Sequence, residues 1–177
     1  AALMAGKRVR SATAIGAGAV SVPAVAVKLA LQVDGPPRRR AVVVGSGRMA
    51  RTVVAGLAGA GVAVTVVARD ARAAARLAAT TAGARGRAAP MSRLGAEVAG
   101  ADILVSATSS PDALVDAPLI AAAMHGRPGR PLVVVDVAVP RDVAPAVGHV
   151  PGVRLAHIDD LARMAHANRA ARRDAAR

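Results

Sequence analysis

Four short aliphatic runs, three of them dominated by valine, constrain the fold of this chain more than any other feature. They are Ala41–Val44 (AVVV), Val62–Val67 (VAVTVV), Asp102–Ala107 (DILVSA) and Pro131–Val137 (PLVVVDV). A strand with one face in water alternates apolar and polar side chains, whereas a near-continuous apolar run needs cover on both faces. The segments between the runs read as helices: Met49–Ala60 ended by Gly61, Ala71–Thr80, Ser92–Ala99 after a loop rich in Gly and Arg, and Ala117–Met124. Doubly buried strands alternating with helices form a parallel sheet with crossover helices. The expected fold is therefore α/β, a Rossmann-like doubly wound sheet with flanking helices, and Val153–Ala156 adds an edge strand.

Two further segments flank this unit. Ser21 caps a helix running to about Gln32, with Pro23 tolerated in its first turn. Asp34-Gly35-Pro36-Pro37 then breaks the chain. Asp159 or Asp160 caps a last helix, LARMAHANRAARRDAAR, poor in apolar bulk and suited to packing on a partner. The division expected is 1–37 as a leading segment, 38–157 as the α/β domain and 158–177 as the start of a helix. The stretch Lys7–Ala30 imitates a secretory signal, with KRVR, an apolar run and Ala24-Val25-Ala26 as a cleavage site. Its apolar part is rich in Gly and Ala, is broken by Ser21 and Pro23, and begins several residues into the chain. A membrane-spanning helix needs an uninterrupted run of about 20 strongly apolar residues, and the sequence offers none. The cytoplasm is the expected location.

Composition narrows the chemistry. The 177 residues contain no cysteine, which excludes disulfides, thiolate metal sites and a thiol nucleophile within them. Phe, Tyr and Trp are absent too, so the core must be packed from Val, Leu, Ile, Ala and Met. The net charge of +13 is carried almost wholly by arginine, the only lysines being Lys7 and Lys28. Such a surface attracts phosphate, as RNA, nucleotide or anionic lipid. Dispersed arginines are equally explained by GC-rich codon usage, and no aromatic ring is available to stack on bases.

Gly45-Ser46-Gly47-Arg48-Met49-Ala50 follows a strand and opens a helix, the context of a dinucleotide-binding G-x-G-x-x-A loop. Gly45 permits the tight turn, Gly47 lets backbone approach a pyrophosphate at the helix N-terminus, and Ala50 keeps helix and strand close. An acid at the end of the second strand would hold the ribose hydroxyls of NAD; here stand Ala68, Arg69 and Asp70. A cation suits the 2′-phosphate of NADP, with Arg72 and Arg76 nearby, while Asp70 brings a competing negative charge. Two more loops leave the carboxyl ends of strands, where α/β sheets bind ligands. Ser106-Ala107-Thr108-Ser109-Ser110-Pro111 offers small residues and hydroxyls. Ala138-Val139-Pro140-Arg141-Asp142 offers a rigid backbone and a cation. His125, His149, His157 and His166 show no metal-ligand spacing, and neither a catalytic nor a metal residue is assigned.

Together these motifs resemble glutamyl-tRNA reductase. GKRVRSATAIGAGAVSV, VVVGSGRMA, DILVSATSSP, RPLVVVDVAVPRDV and PGVRLAHIDDL occur in that family's order and spacing, from about Gly6 to the end. The resemblance implies the end of a catalytic domain, a complete NADPH domain and the start of a long spinal helix. It implies Gly45, Ser46, Gly47, Arg48 and Met49 at the pyrophosphate, and Arg69 at the 2′-phosphate. It implies Ser106, Ala107, Thr108, Val139 and Pro140 beside the nicotinamide, and matches Asn168 and Arg172 to the spinal helix. It further implies glutamyl-tRNA as partner through the full enzyme, reduction to glutamate-1-semialdehyde in tetrapyrrole synthesis, and a homodimer through the C-terminal helix. The family commonly shows Asn-Arg-Thr where this chain has Ala68-Arg69-Asp70, often Glu at Ala12 and often Ser at Pro23.

The family takes glutamate from its tRNA as a thioester on a cysteine, which these residues cannot form. A fragment of the full enzyme, a subunit complemented by another chain and a decayed copy are all compatible with that. The alternatives in other classes are a non-catalytic nucleotide-binding regulatory module, a shikimate-dehydrogenase-like NADP oxidoreductase, against which the missing Lys-Asp pair argues, and an RNA-binding module resting on charge alone.

Overall fold

A computed structural model of the chain describes residues 22–32, 39–81 and 86–159. Six parallel strands form one sheet: β1 (Arg40–Val44), β2 (Ala63–Ala68), β3 (Arg87–Pro90), β4 (Ile103–Ser106), β5 (Leu132–Asp136) and β6 (Val153–His157), in the order β3-β2-β1-β4-β5-β6. The helices are α1 (Val22–Leu31), α2 (Arg48–Gly59), α3 (Ala71–Ala79), α4 (Leu94–Ala99) and α5 (Ala117–His125), with 3-10 turns at Met91–Arg93 and Pro145–His149. This is the doubly wound α/β architecture expected from the valine runs.

The valines fill two cores, one on each face. Ala41 and Val43 of β1 join Val64, Val66, Ile103 and Val105 under α1, α2 and α3. Val42 and Val44 join Val67, Leu104 and Val134 under α4 and α5. Alternate residues of one strand thus serve opposite faces, which explains why the run cannot afford polar positions. Helix α2 buries Ala50, Val53, Val54 and Leu57, an i, i+3, i+4, i+7 stripe. It ends where Gly61 takes φ +78° and Val62 N–H donates to the Leu57 carbonyl at 3.1 Å, a left-handed cap suited to glycine.

With no ring to fill space, small residues bring elements close instead. Ala26 and Ala30 of α1 are fully buried and the helix packs on α2; a Cβ at Gly56 would lie 2.9 Å from Val27 Cγ2. Arg39 Nη1 reaches back to the Leu31 carbonyl at 2.6 Å, tying β1's approach to the last turn of α1. The leading helix thus packs against α2 and one face of the sheet.

The structure adds one strand to the sequence reading. β3 lies in what reads as a Gly- and Arg-rich loop; its sequence, RAAP, is too short and weakly apolar to signal a strand. It forms because it is an edge, paired only to β2, where Pro90 costs no ladder bond on a second side. Ser92–Ala99 divides into a 3-10 turn and α4, and Asp102 precedes its strand rather than belonging to it. Ser21, the Asp34–Pro37 break and the C-terminal helix from residue 160, with Asn168, Arg172 and the dimer contact, lie outside the described residues. Asp159 is itself helical, so it does not cap that helix.

Candidate nucleotide-binding site

The strand order reverses between β1 and β4, and the crevice above that point is formed by loops leaving the carboxyl ends of β1, β2, β4 and β5. Register aligns Val44 with Val67 and Ser106, Ser106 with Asp136, and Asp136 with His157, so one row of residues forms its floor.

The β1–α2 turn is built around Gly45. Its φ is +111°, and a Cβ there would stand 2.6 Å from the Ala107 carbonyl oxygen. The turn crosses directly over the β4 loop, and only glycine allows it. Gly47 caps α2 with no side-chain bond, is exposed, and a Cβ on it would meet nothing within 4 Å. The first turn of α2 contains no acid, so its amide groups and dipole face open space. Ser46 and Met49 are half-buried beside the turn, Arg48 is exposed, and Ala50 is fully buried against the sheet.

At the end of β2, Arg69 is exposed and makes no ion pair among the described residues. Asp70 caps α3, its Oδ1 accepting from Ala73 N–H at 3.0 Å. The competing acid is thereby turned toward its own helix, while Arg72 and Arg76 stay exposed on it. Between Arg38 and Ala96 the sequence holds no acid other than Asp70, so this half of the crevice is strongly positive.

The β4 and β5 loops are fastened to each other by a carboxylate that sequence reasoning left as part of a loop. Asp142 is fully buried. Its Oδ2 accepts from Ser106 Oγ at 2.6 Å and Thr108 N–H at 3.0 Å, and its Oδ1 accepts from Thr108 Oγ1 at 2.6 Å. Thr108 Oγ1 in turn accepts from Ser110 N–H at 3.0 Å. The hydroxyls of Ser106 and Thr108 are thus spent on shaping the loop. Asp136, buried at the end of β5, accepts from Ala138 N–H and Val143 N–H at 3.0 Å each, pinning both ends of the Val139–Asp142 segment. Burial pushes its carboxyl above the ordinary range; the two amides pull it back, Asp142 adds to the rise, and His157, with Nδ1 3.6 Å from Asp136 Oδ2, opposes it. The signal for both acids was present: an aspartate inside or beside a valine run has a reason to be there, because burying it alone is costly.

Within that pinned segment the Val139–Pro140 peptide is cis, and Val139, 58% exposed, is the exposed large hydrophobic among the described residues. Arg141 does not stand free as a cation: Nη2 lies 2.9 Å from Asp159 Oδ2. Of the sequence-stated residues, the structure gathers Gly45–Met49, Arg69, Ser106–Thr108 and Val139–Pro140 at the carboxyl edge of one sheet. No group of three or more metal-binding side chains occurs among the described residues.

Residues 28–164 match the family model described as shikimate / quinate 5-dehydrogenase. The glutamyl-tRNA reductase of Rubrobacter xylanophilus is 44% identical over 99% of this chain and 40% of its own length. The chain belongs to the shikimate / quinate 5-dehydrogenase family, and over nearly its whole length it is similar to glutamyl-tRNA reductases. A solved glutamyl-tRNA reductase from Methanopyrus kandleri superposes with a TM-score of 0.78 at 35% identity, over 96% of this chain and 42% of that one. The nucleotide-binding domain of the glutamyl-tRNA reductase from Thermoplasma volcanium, 17% identical, shares the fold with a TM-score of 0.67, over 88% of this chain and 99% of that one. The chain spans about 40% of the length of the curated reductases it matches. No helix among the described residues is long and apolar enough to cross a membrane.

Proposed function

We propose that this domain holds NADPH for a glutamyl-tRNA reductase, in which glutamate carried by tRNA is reduced to its semialdehyde. The observation that carries the reading is the pair Arg69–Asp70: the cation beyond β2 is exposed, and the acid beside it is bound to its own helix. That arrangement favours a 2′-phosphate over a bare ribose diol. Gly45, Ser46, Gly47, Arg48 and Met49 would receive the pyrophosphate on backbone N–H groups and the α2 dipole. Ala107, Thr108, Val139 and Pro140 would flank the nicotinamide. When bound, the cofactor supplies a hydride.

This chain's own residues bind, orient and exclude water. Asp142 holds the β4 loop, Asp136 holds the β5 loop, and Val139 offers an apolar surface between them. The 177 residues contain no cysteine, so the thiolate that would activate the acyl group must come from outside them. The domain boundaries at 37/38 and 157/158, a homodimer through the C-terminal helix and a cytoplasmic location belong to the same reading.

Calorimetric titration with NADPH and NADH tests the cofactor. Preference for NADPH is expected, with Arg69→Ala costing about 1.5–3 kcal/mol of NADPH binding and little for NADH. Equal affinities, or an NADH preference unmoved by the substitution, refute it. For the reaction, charged tRNA, NADPH and the chain are assayed for semialdehyde with and without an added cysteine-bearing catalytic domain. Product only in the mixture is expected. Product from the chain alone overturns the dependence on an external thiolate, and nucleotide binding with no product in either arm favours a non-catalytic binding module.

A further inference from the structure

A second cleft lies at the opposite end of the sheet from the cofactor loops. It is a cavity of about 250 Å³ under α4, opening at the amino ends of β1, β2 and β3, and lined by Arg40, Thr65, Arg87, Arg93, Glu97 and Gly100 among others. Register places Thr65 beside Val42 on one side and Arg87 on the other, so two polar residues stand side by side beneath the helix.

Three features of this cleft are those of a binding site. First, Thr65 is only 7% exposed, and among the described residues its hydroxyl makes no hydrogen bond. It stands in a strand whose other inward positions are apolar, AVTVVA, where valine would fill the same volume without a polar atom to satisfy. Second, Arg87 is held rather than loose. Both of its Nη atoms donate to the carboxylate of Glu97, Nη1 to Oε1 at 3.0 Å, and Glu97 is 8% exposed. A buried acid that fixes a half-exposed arginine presents a guanidinium at little further entropic cost. Third, Arg40 and Arg93 are exposed at the mouth without a carboxylate partner among the described residues, and Arg40 Nη1 is 3.9 Å from where a Gly100 Cβ would be. Three guanidinium groups against one carboxylate leave the cleft positive, and nothing assigned to the nucleotide crevice uses it.

We infer that the Arg40–Thr65–Arg87–Arg93 cleft is a second, separate oxyanion site that takes a phosphate group. The volume accommodates one phosphate with a small substituent and not a dinucleotide. Arg40 and Arg93 supply the charge, Arg87 the fixed donor fork, and Thr65 a hydroxyl donor from the cleft floor. The phosphate belongs either to a small phosphorylated molecule or to a phosphodiester of RNA; the recognition chemistry is the same. The site does not depend on which cofactor the crevice prefers.

Titration of the chain with inorganic phosphate, followed by arginine side-chain NMR and by calorimetry, tests this. Arg69→Ala serves as background to remove phosphate binding at the cofactor loops. Thr65→Val, which keeps the shape, and Arg93→Gln, on the surface, are each expected to weaken phosphate binding about tenfold while thermal unfolding and NADPH affinity stay unchanged. A transfer RNA titration identifies the source: loss of RNA affinity in Arg93→Gln assigns a phosphodiester, and loss of phosphate binding alone assigns a small ligand. Saturable phosphate binding that neither variant alters, or none at millimolar phosphate in the Arg69→Ala background, overturns the site.

Discussion

Replacing Asp142 separates its role as a hydrogen-bond hub from its role as a charge. Asp142→Ala strands three donors in a buried place: Ser106 Oγ, Thr108 N–H and Thr108 Oγ1. Hydrogen bonds to a charged group contribute about 1.5–3 kcal/mol each, but the two hydroxyls can rotate toward other acceptors, and a water can enter the space left. The amide of Thr108 cannot rotate and bears its full penalty. Removing a buried charge also returns part of its desolvation cost. The balance is a loss of about 3–5 kcal/mol for alanine. Asp142→Asn is milder. Its carbonyl can keep the Ser106 and Thr108 N–H bonds, and its amide can donate to Thr108 Oγ1 after that hydroxyl turns. Charge assistance is lost and the turned Thr108 hydroxyl gives up its acceptor, about 1–2 kcal/mol. Urea unfolding read by midpoint at constant slope gives both values, and NADPH titration gives the effect on the crevice. Asparagine is expected to retain most of the cofactor affinity and alanine to lose it as the β4 loop loosens. If the two variants cost the same, or alanine costs under about 1 kcal/mol, the hub reasoning is wrong.

Further outcomes follow from single contacts. Gly45→Ala places a Cβ 2.6 Å from the Ala107 carbonyl at φ +111°, and should destabilise by about 2–4 kcal/mol with loss of nucleotide binding, measured by thermal melting and titration. Arg127→Ala removes a buried guanidinium that donates to the carbonyls of Val98, Ala101, Arg130 and Pro131, and should cost about 3–5 kcal/mol in urea unfolding, with Lys recovering only a minor part. Asp136 has a raised carboxyl pKa, mainly from burial. Its contribution to stability is therefore complete below the ordinary value of 3.8 and is lost as pH rises through the folded-state value. Wild-type stability minus that of Asp136→Asn, measured across acid pH, should fall with rising pH through that window; a difference that rises would contradict the burial argument.

The order of elements was legible because the physics behind it is local. Val42–Val44 and Val133–Val135 can be buried on both faces only in a parallel sheet, and the glycine turn at Gly45 marks which strand begins the crevice. β3 was not legible, because RAAP becomes a strand only through the edge of β2 that it completes. At the site, backbone chemistry was readable at Gly45, whose φ of +111° and close approach to the Ala107 carbonyl require glycine. What the side chains of Ser106, Thr108, Asp136 and Asp142 do was not readable, since their partners are up to 36 residues apart in sequence. A hydroxyl in a loop looks the same in sequence whether it faces a ligand or a buried acid.

The arginines divide along the same line. Arg39 and Arg127 donate to carbonyls at the ends of α1 and α4, while Arg87, Arg130 and Arg141 neutralise Glu97, Asp102 and Asp159. Those five are held by carbonyls or acids of the fold, and Arg127 is buried in doing so. Arg48, Arg51, Arg69, Arg72, Arg76 and Arg93 have no such partner among the described residues and fall in the stretch where Asp70 is the lone acid. Codon usage can enrich arginine throughout a chain, but it does not remove the acids from one half of a sheet and leave them in the other. The basic half is also the half that carries the Gly45 turn, Arg69 and the second cleft. A charge-swapped pair of variants tests whether that distribution matters: Arg72→Glu with Arg76→Glu should weaken NADPH binding through long-range repulsion, more at low salt than at high, while leaving urea stability within about 0.5 kcal/mol. Salt-independent loss would mean direct contact instead, and no loss would return those two arginines to codon usage.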